Sequence, residues 1–429
     1  MKMIDDLTQM DYPQYNSYKD SGVDWLGEIP EEWHTEKGKW LFNKMDRPIR
    51  EDDGIVTCFR DGEVTLRSNR RTDGFTNALK EHGYQGIRKG DLVIHQMDAF
   101  AGAIGVSDSE GKSTPVYSVC VPKKPDQISP HYYMYFMRSM ALRGFILSLA
   151  KGIRERSTDF RYNDFAKLDL PLPPYNVQIK ISKFIESRTT QIDQAITLKQ
   201  QQIAKLEEYK QIVIQNAVTK GLNPDAPMKD SDVDWIGDIP EHWEVKRLMF
   251  VTENFNKKVL GSESKLPYLG MESIESKTGQ LSNETSEAEG LASYFKEDQI
   301  LFGKLRPYLA KVYLTTFEGL CSTEFMVMSV RSEISNTFLK YQLLSNRFIA
   351  QINSSTYGSK MPRASAEYIK RQSITLPPTE EQKLIVDYID SITNKVNKTL
   401  SSYNSQIDRL KEYKTILINQ AVTGKLKVS

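Results

Sequence analysis

Cysteine is scarce: Cys58, Cys120 and Cys321 are the three in a chain of 429 residues. They are odd in number and far apart, which excludes a disulfide framework or a Cys-x-x-Cys zinc site and fits a reducing compartment. The five histidines make no HExxH or paired-His motif. An excess of either charge is also missing. The 57 basic and 56 acidic residues leave a formal net charge of +1, which argues against a general nucleic-acid coat protein but leaves room for local basic surfaces. Long hydrophobic runs are lacking. The most apolar stretch, Tyr132 to Leu149, carries Arg138 and Arg143 and reads as an amphipathic surface helix rather than a membrane span. The opening MKMIDDLTQMDY does not read as a signal peptide, so a cytoplasmic protein with no membrane partner is expected.

Catalytic signatures are missing too. GVSDSEGKS from Gly105 has five residues between Gly105 and Gly111, where a phosphate loop needs four. LPPY at Leu172 lacks the polar first residue with which an amino-methyltransferase holds its target amine, and no Gly-rich cofactor loop follows a strand. The E-x-K triplets at Glu263 and Glu275 have no nuclease-like Pro-Asp before them.

What the chain does have is a duplication. LEEYKQIVIQNAVTKGL from Leu206 recurs as LKEYKTILINQAVTGKL from Leu410, an offset of 204 (410 less 206). The same offset relates LPPYNVQIKI at Leu172 to LPPTEEQKLI at Leu376. Between these landmarks apolar residues recur at steps of mostly three, four or seven: Ile181, Ile185, Ile192, Ile196, Ile203, Leu206 and Val213 in the first copy, and Ile385, Ile389, Val396, Leu400, Ile407, Leu410 and Leu417 in the second. This is a narrow seam on a long helix. The Pro-Pro pairs set the starts and Gly221 and Gly424 the stops. Each helix should run about 44 residues, or about 66 Å at 1.5 Å per residue. Neither seam is wide enough to bury itself, so each helix needs a partner, and the other copy is the nearest one.

A second repeat opens each half: KDSGVDWLGEIPEEW from Lys19 and KDSDVDWIGDIPEHW from Lys229. The paired tryptophans read as packing around a turn. Between openings and helices, short β-prone runs (GIVTCF, GEVTL, DLVIHQ and PVYSVCV; then QILFGKL, KVYLTT and EFMVMSV) alternate with turn signals. In each half a helix follows, PHYYMYFMRSMALRGFILSLAK from Pro130 and NTFLKYQLLSNRFIAQI from Asn336. The frames are alike and the intervening sequences differ strongly, which suggests two modules reading two different things.

This pattern resembles the specificity subunit of a Type I restriction-modification enzyme along the whole chain. The WLGEIPEEW and WIGDIPEHW openings, the LPP-x₃-Q helix starts and the LEEYK and LKEYK endings carry the resemblance, together with DQILFGKLRPYLAKVYLTTFEGLCSTEFMVM from Asp298, which looks like a common target-recognition domain. The fold class expected is α+β: two α/β target-recognition domains separated by two long antiparallel coiled-coil helices, with an internal pseudo-two-fold repeat. The expected domains are 1–171 (first recognition domain), 172–222 (central helix), 223–375 (second recognition domain) and 376–429 (C-terminal helix).

The resemblance implies a non-catalytic subunit in which each recognition domain reads one half of a split double-stranded DNA site. The helices would set the spacing and dock two methyltransferase subunits, with restriction or translocase subunits as further partners. AdoMet, ATP and Mg would belong to those partners, leaving this chain no cofactor and no metal. DNA binding needs cations on phosphates and a few side chains on base edges. The candidates in the first half are Arg67, Arg70, Arg71, Arg88, Lys89, Gln96, Arg154, Arg156 and Arg161; in the second, Lys257, Lys258, Lys304, Arg306, Tyr308, Lys311, Lys360 and Arg363. GIRERSTDFR and GSKMPR lie at corresponding places just before the helix starts. Read as a solvated surface, the same cations do nothing specific. The rival function is a coiled-coil scaffold whose two globular domains bind protein.

Overall fold

The computed structural model describes residues 12–70, 82–149, 159–282, 287–288, 290–358 and 360–428. The chain forms two compact units, one of residues 1–199 with 405–429 and the other of residues 200–404. The boundaries fall inside the two long helices, so each unit joins one globular domain to part of both.

In the first unit an antiparallel hairpin, Tyr18–Asp20 with Glu28–Pro30, lies within the opening repeat. It delivers Trp33 to the core, where the indole is fully buried. Trp25 packs on Phe145 with ring centroids 4.8 Å apart. The central sheet is antiparallel, with strands β1 (Phe42–Met45), β2 (Leu92–His95), β3 (Ile104–Val106) and β4 (Tyr117–Pro122) in the order β1-β4-β2-β3. Helix α1 (Pro130–Leu142) buries Tyr132, Tyr133, Phe136 and Met137. The sequence predicts one helix to about Lys151. Instead it breaks at Gly144, whose φ of +82° reverses the chain before a short helix Phe145–Leu149.

Long helix α2 spans Tyr175–Lys220, 46 residues. The start of its LPP-x₃-Q motif has a specific cause. Gln178 is fully buried. Its amide nitrogen donates to the Pro173 and Gln127 carbonyls, each at 2.9 Å, and its amide oxygen accepts from the Ser129 N–H at 2.8 Å. One side chain thus ties the helix start to the loop that leads into α1. Gln382 does the same in the second unit, donating to Pro377 and Glu333 carbonyls and accepting from Ser335 N–H at 2.7 Å.

The second unit repeats the plan. Strands β5 (Thr252–Asn254), β6 (Ile300–Gly303), β7 (Val312–Leu314) and β8 (Phe325–Val330) take the order β5-β8-β6-β7. The registers match as well. Leu92 pairs with Val106 as Ile300 pairs with Leu314, each partner 208 residues on (300 less 92, 314 less 106). The expected single helix is again two, α3 (Asn336–Leu344) and α4 (Asn346–Ser354), because Ser345 at ψ 139° is extended. A further four-stranded sheet, without a counterpart among the described residues of the first unit, contains Lys258–Leu260, Leu291–Phe295, Gly319–Cys321 and Tyr268–Leu269. At this stage the described residues of the first unit form two small two-stranded antiparallel sheets, Val56–Cys58 with Val64–Leu66 and Gln85–Ile87 with Gly111–Ser113.

Helix α5 spans Thr379–Val422, 44 residues. In the second unit the Lys210 amine reaches Asn397 at 3.4 Å, and just past the end of α2 Gly221 lies beside Glu381. Moving forward on α2 is therefore moving backward on α5, and the pair is antiparallel. In the first unit Lys414 bonds Asp193 at 2.7 Å, and the Tyr132 hydroxyl donates to the Val422 carbonyl at 2.7 Å beside the Gln178 anchor. The seam residues Ile181, Ile185, Ile192, Ile385, Ile389, Val396, Ile407, Leu410 and Leu417 are buried, and Ile196, Ile203, Leu206, Val213 and Leu400 are half-buried. Ile181, Ile185 and Ile192 join the core of Trp33, Tyr132 and Phe136, each contributing roughly 1.5–3 kcal/mol through burial. Near its C-terminus α2 buries Ile214 rather than Val213, because 3.6 residues per turn drift off a strict seven-residue repeat. Among the described residues no helix is long and apolar enough to cross a membrane.

Candidate nucleic-acid interface

In the second unit, the chain after β6 enters a short 3₁₀ turn at Pro307–Leu309, bracketed by two left-handed residues, Arg306 (φ +48°) and Ala310 (φ +47°). Non-glycine residues avoid this region, and the neighbouring loop holds Arg306 there. Arg306 N–H donates to the Pro362 carbonyl at 2.7 Å, and Ala364 N–H to the Lys304 carbonyl at 3.0 Å. A hairpin turn from Tyr357 to Arg363, closed by mutual backbone bonds of those two residues, lies against the first loop. Lys304, Arg306, Tyr308, Lys360 and Arg363, far apart in sequence, are thus assembled by two loops.

The side chains divide into free and committed ones. Lys360 is exposed, and Arg363 is exposed but paired with the Glu324 carboxylate. Tyr308 is 45% exposed, and Tyr357 and Met361 are each 63% exposed. Large apolar side chains held in water beside cations are suited to pack on sugars and base edges. Sequence reasoning did not single out Tyr357 or Met361; the signal was their place on either side of GSKMPR's glycine turn. Lys304 is half-buried and donates to the Thr323 carbonyl at 2.9 Å. Burial lowers its pKa, opposed by Glu324 and aided by Arg363 and Lys258. Lys311 is committed to structure, its amine donating to the carbonyls of Met271 (2.6 Å) and Ile274 (2.8 Å). Lys257 lies over the Tyr294 ring at 4.3 Å, and Lys258 is exposed.

The equivalent place in the first unit follows β2. Gln96 stands where Lys304 stands: its N–H donates to Val116 O and its carbonyl accepts from Phe160 N–H, as Lys304 does with Glu324 and Ala364. The Gln96 amide reaches the Ser118 hydroxyl at 3.4 Å. Beside it opens a cleft of about 720 Å³ lined by Thr57, Phe59, Arg67, Arg70, His95 and Tyr117 among others. The His95 Nδ1 accepts from Asp98 N–H at 3.0 Å, and its ring meets Tyr117 edge-on at 4.6 Å. Burial lowers the His95 pKa, with Asp98 opposing, so at neutral pH the ring is an uncharged hydrogen-bonding group. Arg67 reaches Thr57 Oγ1 at 3.4 Å. Arg70 pairs with Asp61 (2.6 Å) and Glu63 (3.0 Å) and lies over the Phe59 ring.

The other candidates of this half lie apart from the cleft lining. Arg88 is turned inward, bonding Asp53 at 3.3 Å and the carbonyls of Ile87 and Gly111. Lys89 is exposed, and Arg161 is exposed with Asp159 at 2.5 Å. Arg71, Arg154 and Arg156 lie outside the described residues. Among the described residues no group of three or more His, Cys, Asp or Glu could hold a metal ion.

The fold is a duplicated frame of two units whose corresponding loops carry different side chains. Residues 240–408 match the Type I restriction modification DNA specificity domain. The chain is 25% identical to the Type I restriction enzyme EcoDI specificity subunit of Escherichia coli over 62% of this chain and 65% of that one. It is 22% identical to the putative type I restriction enzyme MjaX specificity subunit of Methanocaldococcus jannaschii, over 94% of this chain and 96% of the relative. The fold is shared with a chain from a structure on complex assembly and conformational transition of the type I R-M system (TM-score 0.68, 14% identity, 92% of this chain and 98% of that one). It is shared also with the HsdS subunit from Thermoanaerobacter tengcongensis (TM-score 0.55, 15% identity, 93% and 98%). Residues 240–408 are thus similar to the DNA specificity domain of Type I restriction-modification systems, and the relatives that resemble the chain over most of its length are specificity subunits of that class.

Proposed function

We propose that this chain is the non-catalytic reader of a split DNA site. Each unit reads one half through the loops that follow β2 and β6, the long helices set the gap, and two methyltransferase subunits dock on the assembly. AdoMet, ATP and Mg are used by the methyltransferase and restriction subunits, and the protein works in the cytoplasm. The observation that carries this reading is the matched register of the two sheets, on which the same loop position bears Gln96 in one unit and Lys304 in the other. A frame kept constant while its outer face changes is what two readers of different sequences require.

The test is exchange of residues 41–170 for another recognition domain, followed by mapping of modified bases in host DNA. One half of the motif should change and the other should stay. If both halves change together, the two-reader assignment is wrong. If the protein, with its methyltransferase partner, shows no salt-sensitive binding to any duplex, a protein-binding scaffold is the better reading.

A further inference from the structure

The cationic face of the second unit contains one carboxylate whose place calls for a reason. Glu324 sits in the turn just before β8, and its backbone carbonyl accepts from Lys304 N–H at 2.9 Å. One carboxylate oxygen pairs with the Arg363 guanidinium. The other is buried and has no hydrogen-bond partner among the described residues. The Lys304 ammonium feels the same carboxylate, along with the repulsion of Arg363 and Lys258. A carboxylate opposes binding to phosphate, so a surface built only for affinity would not keep it here. The equivalent position in the first unit is Val116, so the shared frame does not require an acid.

We propose that Glu324 is a specificity-determining positioning residue. It holds Arg363 away from the DNA backbone on non-cognate sequences and yields it to a phosphate when the correct half-site seats the Arg306–Tyr308 loop. The pair is suited to this because it is partly exposed, with Arg363 at 45% and Glu324 at 21%. A pair in that setting is weak, so a well-placed phosphate can displace the carboxylate and a poorly placed one cannot. The backbone supplies the coupling: Arg363 lies in the hairpin turn whose Pro362 carbonyl holds Arg306, and Leu305 and Arg363 form a β-bridge. A sequence-dependent fit at one loop is therefore felt at the other.

This inference rests on the proposed DNA-reading face, and the experiment separates the two. The full chain, in complex with its methyltransferase partner, is titrated with a random-sequence duplex and with the duplex selected from a random pool, across a salt series. Glu324→Gln should bind the random duplex several-fold more tightly at low salt. Its slope of log K against log salt should steepen by about 0.9, the value for one added phosphate contact, while the slope on the selected duplex stays as in the wild type. Glu324→Ala should act in the same direction. The steepening should vanish when Arg363→Ala is combined with Glu324→Gln, an outcome that simple loosening of the turn would not produce. An unchanged or shallower random-duplex slope in both Glu324 variants, with Arg363→Ala alone still weakening binding, overturns the positioning role and leaves the DNA face standing. No effect from Arg363→Ala on either duplex overturns the positioning role alone, whereas no salt-sensitive binding of the wild-type complex to either duplex overturns both.

Discussion

If the paired helices are the spacer, lengthening both should lengthen the gap in the DNA site. The lysine rungs suggest where to cut. Asp193 meets Lys414 in one unit and Lys210 meets Asn397 in the other, so the same number of residues lies between the rungs on α2 and on α5. Gln200 and Asn404 occupy repeat-equivalent positions between them, 204 residues apart (404 less 200). Four good helix formers inserted at each position add about 6 Å at 1.5 Å per residue. Four residues turn about 400°, a net right-handed rotation of about 40°, so the seam stays roughly in phase. Adding one or two base pairs to B-DNA adds about 3.4 Å each and rotates the far half-site by about 34° per base pair in the same hand. Translation and rotation therefore agree on a gap longer by one or two base pairs, with the specified bases unchanged. Long-read methylation mapping of cells carrying the variant reads both quantities. An active variant that keeps the original gap would refute the spacer argument, and altered end bases would show that the insertion reached the reading faces.

Three other outcomes are expected. Lys360→Ala should reduce the salt slope by about 1 and weaken all duplexes alike, whereas Tyr357→Ala should weaken binding with the slope unchanged; equal slope changes would contradict the division between cationic and apolar contacts. Glu381→Ala removes the acceptor that the fully buried Trp243 Nε1 meets at 3.0 Å, and should lower unfolding free energy by about 1–3 kcal/mol in denaturant titration. Gly424→Ala should destabilise more than Gly22→Ala. Both have positive φ, but at Gly424 a Cβ would lie 2.5 Å from Pro30 and 3.0 Å from the buried Trp33, and at Gly22 nothing lies within 4 Å. Equal thermal shifts would mean that backbone conformation alone, and not packing, selects glycine at Gly424.

The helices are legible in the sequence because a helix is local. Its seam repeats at fixed steps, its start is punctuated by Pro173-Pro174 and Pro377-Pro378, and its stop by a glycine with positive φ, as at Gly221 and Gly424. The duplication is legible for the same reason, being a comparison of the chain with itself. The interruptions at Gly144 and Ser345 are harder to read, since the apolar pattern runs through both and a single residue's dihedral decides. The interface is legible only as a set of candidates. Composition cannot say that the Lys311 amine is spent on two carbonyls and Arg88 on Asp53, while Lys360 stands in water. A cation's availability depends on which acceptors the fold brings within 3 Å, and those come from distant parts of the chain. The sequence by itself determined the repeated frame, the two long helices and the family likeness. The tertiary structure decided that Gln96 and Lys304 share one position, that Glu324 lies against Arg363, and that the Arg306 loop leans on Pro362. Those are non-local contacts, set by strand register and loop closure rather than by the residues' own preferences.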